Sequence, residues 1–214
     1  MAKLYYRYGA MKSGKSIDVI RAYDSYEKSN RKAIVMKPEV DTRDVGVVRT
    51  RKGYEVDAIT IPTNISILDF DLLLKEVIRD CSAIIVDEAQ FLTKHQVYVL
   101  SDIVDNQNIP ILCYGLKTDF RGNLFEGSKA LLEIADNIEE IKTVCQFCPK
   151  KAIMNLRVKR VGDKRIPVFT GEIIEIGDEE YIQTCRKCYR DIIKKDQLWN
   201  VIRLTFKMHN LWIK

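Results

Sequence analysis

Eight residues near the start, Gly9-Ala10-Met11-Lys12-Ser13-Gly14-Lys15-Ser16, fit G-x-x-x-x-G-K-[ST] and constrain the fold more than any other stretch. The pattern works only between a strand and a helix. Successive backbone N–H groups of the turn wrap a phosphate, and the helix that follows presents its positive end to it. The flanks comply. Alternating apolar residues in KLYYRY (3–8) predict a strand ending at Gly9, and Lys15 to about Lys28 predicts a helix with Ile17, Ile20 and Tyr23 at turn spacing. Lys15 then reaches the β/γ oxygens of a nucleoside triphosphate, and the Ser16 hydroxyl holds Mg²⁺.

Short, wholly apolar runs recur down the chain: Ala33–Met36, Ala83–Val86 and Ile111–Tyr114. Amphipathic stretches separate them. Phe70, Leu73, Leu74, Val77 and Ile78 repeat at helical spacing, as do Val97, Leu100, Ile103 and Val104, and Ser128–Ala135 reads as a short helix. Buried strands alternating with helices predict an α/β fold, a mostly parallel sheet covered on both faces. Residues 37–55 and 115–127 read as long loops. After Thr143 the pattern changes to cysteine pairs, Gly/Pro turns and period-two strands over 165–176, which sets a domain boundary near 142. Repeats and low-complexity segments are absent from the sequence.

The run Ala83–Val86 ends in Asp87-Glu88-Ala89-Gln90. Strand ends of a parallel sheet open toward the phosphate loop, so Asp87 is placed to support Mg²⁺ directly or through water. Glu88 is then a candidate base. Two readings stay open: activation of a water, giving an NTPase, or of a substrate hydroxyl, giving a kinase.

Of six cysteines, Cys81 and Cys113 lie in apolar runs and read as small buried hydrophobes. Cys145-x-x-Cys148 and Cys185-x-x-Cys188 read instead as a tetrahedral Cys₄ set for structural Zn²⁺, with a redox dithiol or free thiols as the alternatives. The formal charge is +5, but Tyr189–Lys214 holds six Lys/Arg against two Asp, which leaves about +1 for the first 188 residues. A nucleic-acid binder needs a basic face on the folded domain, so no nucleic-acid partner is expected. At 46% hydrophobic and 30% charged the chain is neither disordered nor collagen-like nor a coiled coil, and no run of about 18 apolar residues offers a membrane span. MAKLYYRYGAM runs into the glycine motif without the apolar core of a signal peptide, so a cytoplasmic protein is expected.

In order and spacing, the phosphate loop, Asp41-Thr42-Arg43, Asp87-Glu88-Ala89-Gln90-Phe91, Gly115-Leu116 with Asp119-Phe120, and the cysteine pairs resemble thymidine kinases of the cellular (type II) class over residues 3–190. The resemblance implies a RecA-like P-loop domain over 1–142, a zinc domain with a lasso loop over 143–190, and a homotetramer. The implied reaction moves the γ-phosphoryl of ATP to the 5′-hydroxyl of thymidine, and of deoxyuridine, in nucleoside salvage. Position by position, it implies that Glu88 is the general base and that Arg43 stabilises charge on the transferring group, with Asp41 near the phosphates. Asp87, Glu88, Ala89 and Gln90 border the nucleotide. Met11, Leu116, Phe120 and Phe125 line the nucleoside pocket. Glu172-Ile173-Ile174-Glu175-Ile176-Gly177 matches the lasso, whose backbone binds the thymine edge while Tyr181 packs nearby. The segment departs from relatives in reading Ile176-Gly177-Asp178 where two consecutive glycines are frequent.

Core packing is the alternative for Phe120, Phe125 and Tyr181, and a solvated charge for Arg43. The tail 191–214, with Trp199, Ile202, Phe206 and Ile213, is expected to be weakly ordered and receives no role. Rival functions fit less well. A nucleic-acid-dependent ATPase needs a second RecA-like lobe, a GTPase lacks the Asn expected before Lys117, and a non-catalytic zinc module leaves the phosphate loop without purpose.

Overall fold

Residues of the apolar run Ala83–Val86 alternate between two separate cores, and this explains why the run contains no polar position. Ile84 and Val86 pack with Phe70, Leu74, Val97, Leu100 and Leu131, whereas Ala83 and Ile85 pack with Val19, Leu112 and Tyr114. All four are fully buried, and each large aliphatic among them contributes about 1.5–3 kcal/mol by leaving water. The computed structural model describes residues 1–40, 46–50, 52–173 and 179–195. Asp41, Arg43, Ile174, Glu175, Ile176, Gly177 and the tail beyond 195 lie outside the described residues.

The chain divides into two units, Met1–Asp119 with Asn123–Lys142, and Phe120–Gly122 with the residues from Thr143 onward. In the first, the strands are β1 (Leu4–Tyr8), β2 (Ala33–Pro38), β3 (Val47–Arg49), β4 (Glu55–Asp57), β5 (Ile59–Ile61), β6 (Ala83–Val86), β7 (Ile111–Gly115) and β8 (Asn137–Glu140). The helices are α1 (Lys15–Glu27), α2 (Ile67–Val77), α3 (Lys94–Gln107) and α4 (Glu126–Ile134). Six strands form one sheet in the order β5-β2-β6-β7-β1-β8, and every pairing is parallel. Helices cover both faces, so the α/β fold class read from the sequence holds. The strand that carries the phosphate loop, β1, is separated from the strand that carries Asp87, β6, by β7 alone.

Helix starts follow local chemistry. Ser66 Oγ accepts from the Asp69 backbone N–H at 3.1 Å to cap α2, and Thr93 with Gln96 forms a reciprocal capping box on α3. The expected loop over 37–55 is partly wrong. Lys37 and Pro38 complete β2, and β3 pairs with β4 so that Val48 faces Val56 and both are buried with Val19 of α1. One buried residue per three-residue strand leaves no period to detect. β8 was likewise unforeseen: it is a polar edge strand, and charges on an edge discourage pairing with other chains. No helix among the described residues is long and apolar enough to cross a membrane.

The second unit is an antiparallel sheet, β10-β9-β11, of β9 (Met154–Val161), β10 (Lys164–Pro167) and β11 (Glu179–Thr184). Gly162, at φ +58°, and Asp163 form the two-residue turn between β9 and β10. Among the described residues, the strand expected over 165–176 is therefore confined to its beginning, since β10 ends at Pro167. Leu156, Val158, Ile182 and Tyr189 make this unit's small core, and positions 186–195 are helical.

α4 approaches the turn after Glu88 through Gly127. A Cβ there would stand 2.5 Å from the Ala89 carbonyl oxygen and 2.6 Å from that of Leu92, both backbone atoms. Gly127→Ala is expected to lower stability by about 1–3 kcal/mol, read as a fall in the denaturant midpoint with unchanged slope.

Candidate active site

The turn between β1 and α1 is built on its glycines. A Cβ on Gly9 would lie 2.5 Å from Ser13 Oγ and 2.7 Å from the Ile141 carbonyl oxygen. Gly14 stands at φ +96°, open to glycine at little cost, and α1 begins there without a side-chain cap. An uncapped helix start of this kind suits an anion. Lys15 is buried, and its Nζ donates to the Ala10 carbonyl at 3.2 Å, across the loop it follows. Ser13 donates its backbone N–H to the same carbonyl at 3.3 Å. Met11, Ser13 and Ser16 are half-buried, and Lys12 is exposed.

Asp87 continues β6 and is 4% exposed; its Oδ1 accepts from the Glu88 N–H at 2.9 Å. Burial pushes the Asp87 carboxyl up to about 7, with the charge of Glu88 adding to it. Burial likewise pulls Lys15 down, against the opposing pull of Glu88 and Asp87. Both shifts favour the neutral forms, so desolvation outweighs their mutual attraction. A buried carboxylate short of countercharge beside a phosphate loop fits a divalent cation, and the buried ammonium fits phosphate oxygens.

Glu88 adopts the left-handed conformation, φ 51° and ψ 35°, uncommon for a residue with a Cβ. Such strain persists where the surroundings enforce it. Here Gln90, buried behind the turn, donates its side-chain amide to Glu88 Oε2 and accepts the Leu116 N–H on Oε1 at 2.9 Å. The backbone donor on Leu116 fixes which end of the amide faces the carboxylate. Gly115 makes room, since a Cβ there would stand 2.6 Å from Gln90 Oε1. Gln90 and Leu116 are both candidate site residues by sequence; their bond, and the need for Gly115, follow from β7 lying beside β6. Lys37, read as a loop residue, is buried at the end of β2 and its charge acts on Asp87. The signal for it was a lysine directly after an apolar run.

Leu116 and Ala89 are buried, and half-buried Phe125 sets its ring edge-on to Phe91 with centroids 5.6 Å apart. These join the loop and the acidic turn in the first unit. Phe120 and Tyr181 belong to the second, where Phe120 is 2% exposed and Tyr181 half-buried; Glu172 and Ile173 are exposed. Asp41, Arg43 and residues 174–177 lie outside the described residues.

In the second unit, the Sγ atoms of Cys145, Cys148, Cys185 and Cys188 all lie within 4.8 Å of one another. Cys148 and Cys185 are 3.6 Å apart and Cys148 and Cys188 3.7 Å, far beyond a disulfide. A tetrahedron with metal–sulfur bonds of about 2.3 Å has edges of about 3.8 Å, so the thiols fit such an ion. Backbone N–H groups of Phe147 and Cys188 point at Cys145 and Cys185 Sγ, each at 3.4 Å. The N–H of Cys188 heads the influences holding the Cys185 thiol down to about 7, while the hydrogen bond to Cys185 pushes the Cys188 thiol up to about 12, so without a cation the cluster favours a thiolate at Cys185 rather than at both.

A phosphate-binding turn on a parallel sheet, with a buried acidic strand end two strands away, defines a P-loop nucleotide-binding protein. The family model for thymidine kinase matches residues 2–189. The thymidine kinase of Streptococcus gordonii is 47% identical over 191 residues, 88% of this chain and 96% of the relative. Those of Streptococcus pyogenes and Shouchella clausii are each 45% identical, over 88% and 89% of this chain and 97% of theirs. The chain belongs to the thymidine kinase family and is a kinase.

Elemental analysis of reduced protein is expected to find about one zinc per chain. Because binding displaces thiol protons, acidification must weaken it, so a titration from neutral pH toward about pH 5 should release the metal. Retention of zinc unchanged by Cys145→Ser and Cys185→Ser together would show that it sits elsewhere.

Proposed function

We propose that this protein transfers the γ-phosphoryl group of ATP to the 5′-hydroxyl of thymidine, giving dTMP and ADP, and accepts deoxyuridine as well. The observation that carries the reading is Glu88, held by the Gln90 amide at the end of β6, within electrostatic reach of buried Lys15. An NTPase needs only a water there. The family, named for a nucleoside kinase in every relative above, selects the hydroxyl.

In this reading the loop Gly9–Ser16 binds the triphosphate through its backbone and Lys15. Ser16 and Asp87 would hold Mg²⁺, which when bound neutralises phosphate charge. Glu88 takes the 5′-O–H proton as that oxygen bonds to the γ-phosphorus and the bond to the β–γ bridging oxygen breaks, releasing ADP. Arg43 stabilises the transferring group, with Asp41 beside it, and Ala89 and Gln90 border the nucleotide. The family resemblance assigns Met11, Leu116, Phe120, Phe125 and Tyr181 to the nucleoside, and Glu172–Gly177 to its base through backbone groups. The first 142 residues are the ATP-binding domain and 143–190 a domain pinned by structural Zn²⁺. A cytoplasmic homotetramer without nucleic-acid or membrane partners completes the reading.

ADP release should require thymidine, with deoxycytidine, single-stranded DNA and buffer alone giving no more than background. Stimulation by DNA alone would overturn the kinase assignment to nucleosides. Glu88→Gln is expected to lower kcat about 10²–10⁴-fold with ATP binding kept. Gln90→Met, which removes both bonds of the bridge, should lower kcat in the native background yet change little in Glu88→Gln, because its action runs through that carboxylate. Equal losses in both backgrounds would separate Gln90 from the base.

A further inference from the structure

The second unit holds a guanidinium, Arg157 on β9, that is 0% exposed. Its neighbours along the strand, Leu156 and Val158, enter the unit's apolar core, so Arg157 points to the opposite face. There its Cζ sits 3.8 Å from the centroid of the Phe120 ring. One Nη donates to the Glu172 carbonyl at 2.6 Å and the other to the Thr170 carbonyl. Exposed Arg121, whose Cζ is 4.9 Å from the same ring, donates to the carbonyl of Gly171. Three consecutive carbonyls are thus gripped by two arginines that share one aromatic ring. Tyr181 is the cross-strand partner of Arg157 on β11, on the same face, and the Tyr189 hydroxyl donates to the Phe120 carbonyl.

We propose that Arg157 is a positioning residue for nucleoside recognition: its planar fork fixes the first limb of the 172–177 loop and the Phe120 ring in one arrangement. The proposal rests on the reading that this loop and Phe120 contact the nucleoside. A loop that recognises a base through backbone groups has no side chain to adjust, so its carbonyls must be held from outside. Only a planar donor with two divergent N–H groups spans the carbonyls of 170 and 172 while lying flat on a ring; a lysine offers a point charge.

The test compares Arg157→Lys and Arg121→Lys with the native protein, all zinc-loaded, by calorimetric binding of thymidine and of ATP and by hydrogen exchange of residues 168–173. Arg157→Lys is expected to keep its zinc, raise the thymidine Kd roughly 10–100-fold, leave the ATP Kd within about twofold and speed exchange in the limb. Arg121→Lys should shift the same quantities in the same direction, by less. An unchanged thymidine Kd in zinc-replete Arg157→Lys, or an equal rise for ATP, overturns the proposal. Should Arg157→Lys fail to fold, Arg121→Lys with native thymidine affinity and native exchange overturns it. Native protein that binds no thymidine overturns the functional reading instead, and unaccelerated exchange in Arg157→Lys then also overturns the clamp.

Discussion

Everything in the first unit is arranged around two opposite charges taken out of water, Asp87 at the end of β6 and Lys15 at the start of α1. Neither is at ease. Burial raises the acid and lowers the base, so their attraction does not offset the loss of hydration. A folded chain keeps such groups only if the surrounding packing is strong enough to hold them, and here the fully buried aliphatics of β6 and β7 on both faces supply it. In the proposed reading, a polyphosphate with its cation would meet both charges together, so the cost that weakens the fold would strengthen the site for that ligand.

Backbone strain follows from the same arrangement. Glu88 directly follows Asp87, and its left-handed conformation is enforced from behind: Gln90 bridges to β7, and α4 presses on the turn through Gly127. Remove the neighbouring strand and the bridge has no anchor. The Glu88 carboxylate is therefore positioned by sheet order rather than by its own stretch of chain. In the second unit distant segments likewise converge: Arg157 and Arg121 grip three backbone carbonyls, and the Sγ atoms of four cysteines lie within 4.8 Å of one another.

The phosphate loop, the acidic strand end and the cysteine pairs were legible in the sequence because each depends on spacing within a few residues, where the chain geometry is fixed by its own bonds. Helices with a full apolar stripe, such as α2 and α3, were legible for a similar reason: eleven and fourteen residues give several repeats of the period. β3 and β4 were not, since three residues with one buried side chain carry no pattern, and polar β8 resembles a loop.

By itself the sequence determined the chemistry available, namely a phosphate turn, a carboxylate pair and four thiols, and the kind of sheet that presents them. Only the tertiary structure decided which groups act on one another. It placed β7 beside β6, which joins Gln90 to Leu116 across 26 positions, and it turned Arg157 onto Phe120 across 37. Those partners meet through strand order and the packing of distant segments, and no local periodicity encodes either.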